Sequence, residues 1–209
     1  MSSTTTPVAS LRERQKQRAR GEIYDAALDL LAEKAYVDVT IEDICARAEV
    51  GRATFFRHFG AKIGLLAEFN RRLTDRARDD LAQQPAATAI ERLRTVQQSL
   101  ADSWTQAGPA QQELARAFLA EGTVAALDAH GDGAVHGDLL ALVTEIVQDG
   151  QQSGTLDARL PADFGAWLIV TGIAGATGTW LTQPTRTELD TMTADTLSVI
   201  LHGLATTEA

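Results

Sequence analysis

Apolar positions recur at helical spacing through most of this chain, and nowhere do they alternate as a half-buried strand requires. Over residues 22–34, Ile23, Ala27, Leu30 and Leu31 share one face and Glu22, Asp25, Asp29 and Glu33 the other, which predicts an amphipathic helix. Ser10 and Glu13 have capping-box spacing, so this helix starts near residue 10 unless the basic lead-in is a flexible arm. Thr40 followed by Asp43, with Ile41, Ile44 and Ala48 on one side, predicts an N-cap and a second, short helix. Gly51 then serves as turn residue or N-cap for a third helix over 52–59. In it Phe55 and Phe59 pack inward, while Arg52, Ala53, Phe56 and Arg57 point outward. After Lys62 the series Leu66, Phe69, Leu73, Ala77 and Leu81 predicts one long helix. Beyond Pro85, helices are expected at 88–106, 109–121, a short one to 129, then 139–152, 161–182 and 188–205. The expected fold is all-α: an N-terminal three-helix module with a helix-turn-helix, a long connecting helix and a larger helical domain.

Charge divides the chain at nearly the same place. The whole carries -9, yet residues 1–80 hold 14 Lys+Arg against 13 Asp+Glu, and residues 81–209 hold 5 against 15. Two basic clusters stand in the first part, Arg12, Arg14, Lys16, Arg18 and Arg20, and then Arg52, Arg57 and Lys62 without an acid between them. A polyanion can meet such patches locally while the acidic remainder faces away. In the third helix a guanidinium can pair bidentately with guanine, and small Ala53 and Thr54 permit close approach to a groove floor and a thymine methyl. The basic, aromatic stretch 50–60 therefore reads as the segment that enters a nucleic-acid groove.

The run TIEDICARAEVGRATFFRHFGAKIGLL, residues 40–66, resembles the DNA-binding signature of TetR-family transcriptional repressors. The resemblance implies that Thr40 and Lys62 touch phosphates and that Arg52, Thr54, Arg57 and His58 sit at or near DNA, Gly51 and Phe56 standing where the family's usual side chains differ. Ala35 occupies the place of a glycine that usually follows the first helix, and a left-handed turn there would cost alanine about 1–2 kcal/mol. The resemblance also implies a division into an arm at 1–14, a DNA-binding domain at 15–61 and a ligand-binding and dimerisation domain at 62–209. It implies a homodimer on a pseudo-palindromic operator of double-stranded DNA, released when a small-molecule inducer binds among the middle helices. The other readings are a constitutive DNA-binding or architectural factor without a ligand, and a membrane-anchored regulator.

The acidic part carries weaker signals. Residues 164–185 hold no charge, long enough to span a membrane, but Gly165, Gly172, Gly175, Gly178 and several threonines dilute the hydrophobicity, and no positive cluster flanks them. The segment reads instead as a buried interface helix, with Trp167, Gly172, Gly175 and Gly178 meeting a second copy and Leu197 and Leu201 joining from the last helix. Candidate ligand contacts are Leu100, Trp104, Leu114, Phe118 and Trp167. HGDGAVHGD, residues 130–138, offers two imidazoles and two carboxylates, but reads as a glycine-rich loop with Asp138 capping the next helix rather than a metal site. Neither a phosphate loop, a nucleophile elbow nor an HExxH helix occurs, so no enzyme and no cofactor is expected. Cys45 has no partner for an internal disulfide, and the polar start shows no secretory signal, so a cytoplasmic protein is expected.

Overall fold

The computed structural model describes residues 11–120, 136–183 and 187–204, and the chain falls into two compact units, 1–65 and 66–209. Among the described residues all regular structure is helical.

The first unit contains α1 (Leu11–Glu33), a 3-10 turn (Tyr36–Asp38), α2 (Ile41–Arg47) and α3 (Arg52–Phe59). α1 begins at Leu11, inside the range expected for an arm, and buries Ile23, Tyr24, Ala27, Leu30 and Leu31 along one stripe. α2 starts because Thr40 and Asp43 close a capping box: the Asp43 amide donates to Thr40 Oγ1 at 3.1 Å, and the Thr40 amide to Asp43 Oδ2 at 3.0 Å. Lys34 Nζ, 2.7 Å from the same carboxylate, and these backbone partners hold the Asp43 pKa well below its usual range. Ala35 is extended (φ -60, ψ 150), so no left-handed turn follows α1 and the expected strain is absent there. The left-handed residue of the α2–α3 turn is Glu49 (φ 54), whereas Gly51 is an extended N-cap without a side-chain bond. After α3, Gly60 takes φ 66, a conformation that costs a residue with a Cβ.

The chain leaves this unit through α4 (Gly64–Ala82). The second unit adds α5 (Ala89–Gln106), α6 (Pro109–Ala120), α7 (Gly137–Gln152), α8 (Ala162–Thr182) and α9 (Leu189–Leu204). Thr88 and Glu91 cap α5 as a second capping box. His136, not Asp138, is the N-cap of α7; Asp138 lies in the first turn, and residues 130–135 of the glycine-rich stretch and the short helix expected before 129 lie outside the described residues.

α8 is long and apolar enough to cross a membrane, yet it packs as a core helix: α7, α9 and α6 lie against it, and Ala166, Ile169, Val170 and Ile173 are buried among them. Gly172 lets α9 approach, since a Cβ there would stand 2.8 Å from Ile200 Cδ1 and 3.2 Å from Thr196 Cγ2. Gln97 on α5 pins α9 from its other side, donating to Thr193 Oγ1 at 2.8 Å and to Asp190 Oδ1 at 3.1 Å.

Candidate nucleic-acid interface and internal cavity

α3 presents its outer face because Phe55 and Phe59, stacked with ring centroids 5.3 Å apart, are buried on the inner one. Arg52, Ala53, Phe56 and Arg57 are exposed and Thr54 is half-buried. Arg52 is steered by two neighbours: it forms an ion pair with Glu42 of α2, and its guanidinium lies 5.7 Å from the Phe56 ring centroid. Arg57 has no hydrogen bond or ion pair among the described residues.

Two residues expected at DNA are placed differently. His58 is buried, its Nδ1 has no partner among the described residues, and burial followed by the charges of Arg57, Arg20 and Lys16 holds its pKa below the usual value. It faces the inside of the unit. Lys62 is half-buried, and its ammonium donates to the carbonyls of Tyr36 at 2.6 Å and Val39 at 2.9 Å, 3.7 Å from the centroid of the Tyr36 ring. Tyr36 opens the 3-10 turn and Val39 follows it, so Lys62 closes that turn in the structure, a use that its place in the sequence did not suggest. Thr40 is exposed at the N-terminus of α2 with Gly51 at that of α3, two helix starts whose amides favour an anion. Cys45 is buried, and burial raises its thiol pKa, which makes it unreactive.

The second unit holds a partly open cavity of about 530 Å3, within the range of small-molecule sites. Its wall comes from Leu66, Asn70 and Leu73 of α4, Leu100 and Trp104 of α5, Ala115, Arg116 and Leu119 of α6, His136 and Leu139, and a long side of α8 from Val170 to Thr182. Of the expected contacts, Leu100 and Trp104 are on this wall, and Trp104 is fixed edge-on to Phe69 at 4.7 Å. Leu114 is wholly buried one position away from the lining Ala115, and Trp167 stacks on Phe164 at 5.8 Å away from the wall. The side chain of Phe118 lies outside the described residues. Leu73, read in the sequence only as one of the apolar series of the long helix, is part of the wall.

The threonines of α8 turn inward chemically. Thr171, Thr177, Thr179 and Thr182 each donate their hydroxyl to the carbonyl four residues back, at 2.7, 2.9, 2.9 and 2.7 Å. Gly175 and Gly178 also line the cavity; a Cβ at Gly175 would meet nothing within 4 Å, and one at Gly178 would touch only Leu119. Leu197 and Leu201 are buried within their own chain, as Gly172 is occupied by its own α9, because α8 and α9 use these positions to pack on each other. Among the described side chains of the two helices, the large exposed apolar ones are Phe164 and Val199.

Residues 23–69 match the family of bacterial regulatory proteins named for tetR. The HTH-type transcriptional regulator AlkX of Mycobacterium tuberculosis is 32% identical over 82 residues, 38% of this chain and 39% of that protein. TcmR of Streptomyces glaucescens, a regulator of the same type, is 39% identical over 62 residues, 29% of this chain and 27% of that one. The matched stretch thus spans well under half of these relatives. Thermus thermophilus FadR, a TetR-family repressor solved with lauroyl-CoA, shares the fold with a TM-score of 0.69 at 21% identity, over 91% of this chain and 97% of that one.

Proposed function

We propose, on the premise that this chain carries the DNA-binding domain of the tetR family of bacterial regulatory proteins, that it is a ligand-responsive transcriptional repressor working in the cytoplasm. Two copies bind a pseudo-palindromic operator, each placing α3 in a major groove, and a small molecule in the cavity releases the DNA. The observation that carries this reading is the course of α4. It begins in the last residues of the first unit, and its Leu66, Asn70 and Leu73 form part of the cavity wall in the second. An occupant therefore touches the helix through which the chain leaves the DNA module. To act as an inducer it must favour the released state, typically by about 1–3 kcal/mol. A homologous fold holding an acyl-CoA in Thermus thermophilus FadR supports an effector role for the cavity without supplying the effector's identity.

In this reading the second copy meets α8 and α9, at Trp167 and the exposed Phe164 and Val199 rather than at the residues already buried within the subunit. The test is selection of bound duplexes from a random pool by the full chain, followed by a compound screen for release. The expected site is two-fold symmetric with half-sites about 10 bp apart or a multiple of that. A protein that binds such a site but is released by no compound is a constitutive DNA-binding factor, and a single asymmetric site sets the dimer aside.

A further inference from the structure

The cavity wall is apolar over most of its extent, and besides the indole N–H of Trp104 its side-chain nitrogen donors stand at two places. One is Arg116, exposed, with Nε donating to the Leu181 carbonyl at 2.9 Å and Nη2 to Gln112 Oε1 at 3.1 Å. The other is a pair brought together from 66 residues apart: Asn70 Nδ2 lies 3.3 Å from His136 Nδ1. An amide nitrogen can only donate, so the imidazole accepts at Nδ1 and a neutral ring carries its proton on Nε2. The ring is neutral at pH 7, because burial lowers its pKa to about 4. The Nε2–H has no hydrogen-bond partner among the described residues, and His136 belongs to the wall. Buried Asn70 fixes which ring nitrogen remains for an occupant.

We propose that the cavity takes an elongated, uncharged molecule with an alkyl body and one carbonyl oxygen, and that His136 Nε2, oriented by Asn70, donates to that oxygen. The proposal rests on the cavity being the effector site and names its ligand class. The length follows from α8, whose lining residues run from Val170 to Thr182, about 18 Å along the helix at 1.5 Å per residue. The alkyl body follows from Leu73, Leu100, Leu139 and Ile173 on the facing walls. The absence of charge follows from the pair itself: an anion beside it would give up its water for one neutral donor. A carbonyl oxygen needs one donor and receives one.

Three probes of equal chain length separate these features: 2-decanone, decane and decanoate, titrated into the full-length protein and read by tryptophan fluorescence, with Trp104→Phe assigning the signal to the cavity. Expected is binding of 2-decanone at least about tenfold tighter than of decane or decanoate, since a buried donor left unpaired penalises the ligand that lacks its partner. His136→Phe should abolish that preference for 2-decanone over decane, and Asn70→Leu should weaken it. Equal affinity for decane and 2-decanone, or tightest binding of decanoate with loss in Arg116→Gln, overturns the proposal while leaving the cavity as a binding site. Failure of all three probes to bind overturns this ligand class, while the compound screen for release decides the effector role separately. Should His136→Phe not fold, the comparison of the three probes on the unaltered chain decides alone.

Discussion

Replacing Lys62 by methionine separates a residue that closes a turn from one that holds DNA. Methionine keeps an aliphatic stem over the Tyr36 ring and removes the ammonium that lies 2.6 and 2.9 Å from the Tyr36 and Val39 carbonyls. Tyr36 and Val39 are only 4% and 2% exposed, so water cannot readily replace the lost donor. A hydrogen bond to a charged group is worth about 1.5–3 kcal/mol. The cation over the ring adds about 0.5–2 kcal/mol. Since these are not additive, Lys62→Met should cost about 2–4 kcal/mol. The loss should appear locally, as faster hydrogen exchange at the amides of Val39 and Ile44, which donate to Tyr36 and Thr40. Equilibrium unfolding followed by circular dichroism gives the magnitude. A phosphate contact predicts the opposite pattern: exchange and stability unchanged, and a slope of log K against log salt shallower by about 0.9. Finding that pattern refutes the turn-closing role.

Arg57→Ala should weaken operator binding by about 1–3 kcal/mol and relax preference at one base pair per half-site, as titrations on an operator and its point variants would show. Gly172→Leu should lower the melting temperature, because the new side chain meets Ile200 and Thr196, whereas Gly175→Leu should fold normally and exclude cavity ligands. Calorimetry with and without 2-decanone distinguishes the two. Acid should weaken the folded state through His136, whose pKa near 4 lies below the ordinary 6.5. The unfolded chain takes up that proton first, so the contribution is complete above about pH 6.5, falls as pH drops towards 4 and is then constant, at most about 3 kcal/mol in all. Unfolding curves at pH 7 and 4.5 should converge in His136→Phe by that amount.

Local signals were legible in the sequence and long-range ones were not. Thr40 with Asp43 and the inward Phe55 and Phe59 place α2 and α3 because a cap and a helical stripe are written in neighbouring residues. The 3-10 turn Tyr36–Asp38 is too short to show a period, and the backbone carbonyls that occupy Lys62 have no letter of their own. Leu114 and Ala115 show how finely a cavity depends on helix phase: adjacent positions are about 100° apart, and the larger, more apolar one faced the core instead. Gly172 announced close packing, but not whether the partner was another copy or this chain's own α9. Asn70 and His136 could not be paired from spacing at all, since only the tertiary fold joins them.

The four threonines of α8 give the cavity a direction. With each hydroxyl proton engaged by its own helix, that wall offers oxygens that can receive a proton but none that presents one. A guest hydroxyl would find welcome at several levels along α8, whereas a guest carbonyl would be answered, among the described residues, by the side-chain nitrogens of Asn70, Trp104, Arg116 or His136. A molecule bearing both groups is then sorted end from end, and its mirror-wise insertion leaves a carbonyl facing lone pairs. Orientation of the guest is thus encoded by which protons a helix keeps for itself.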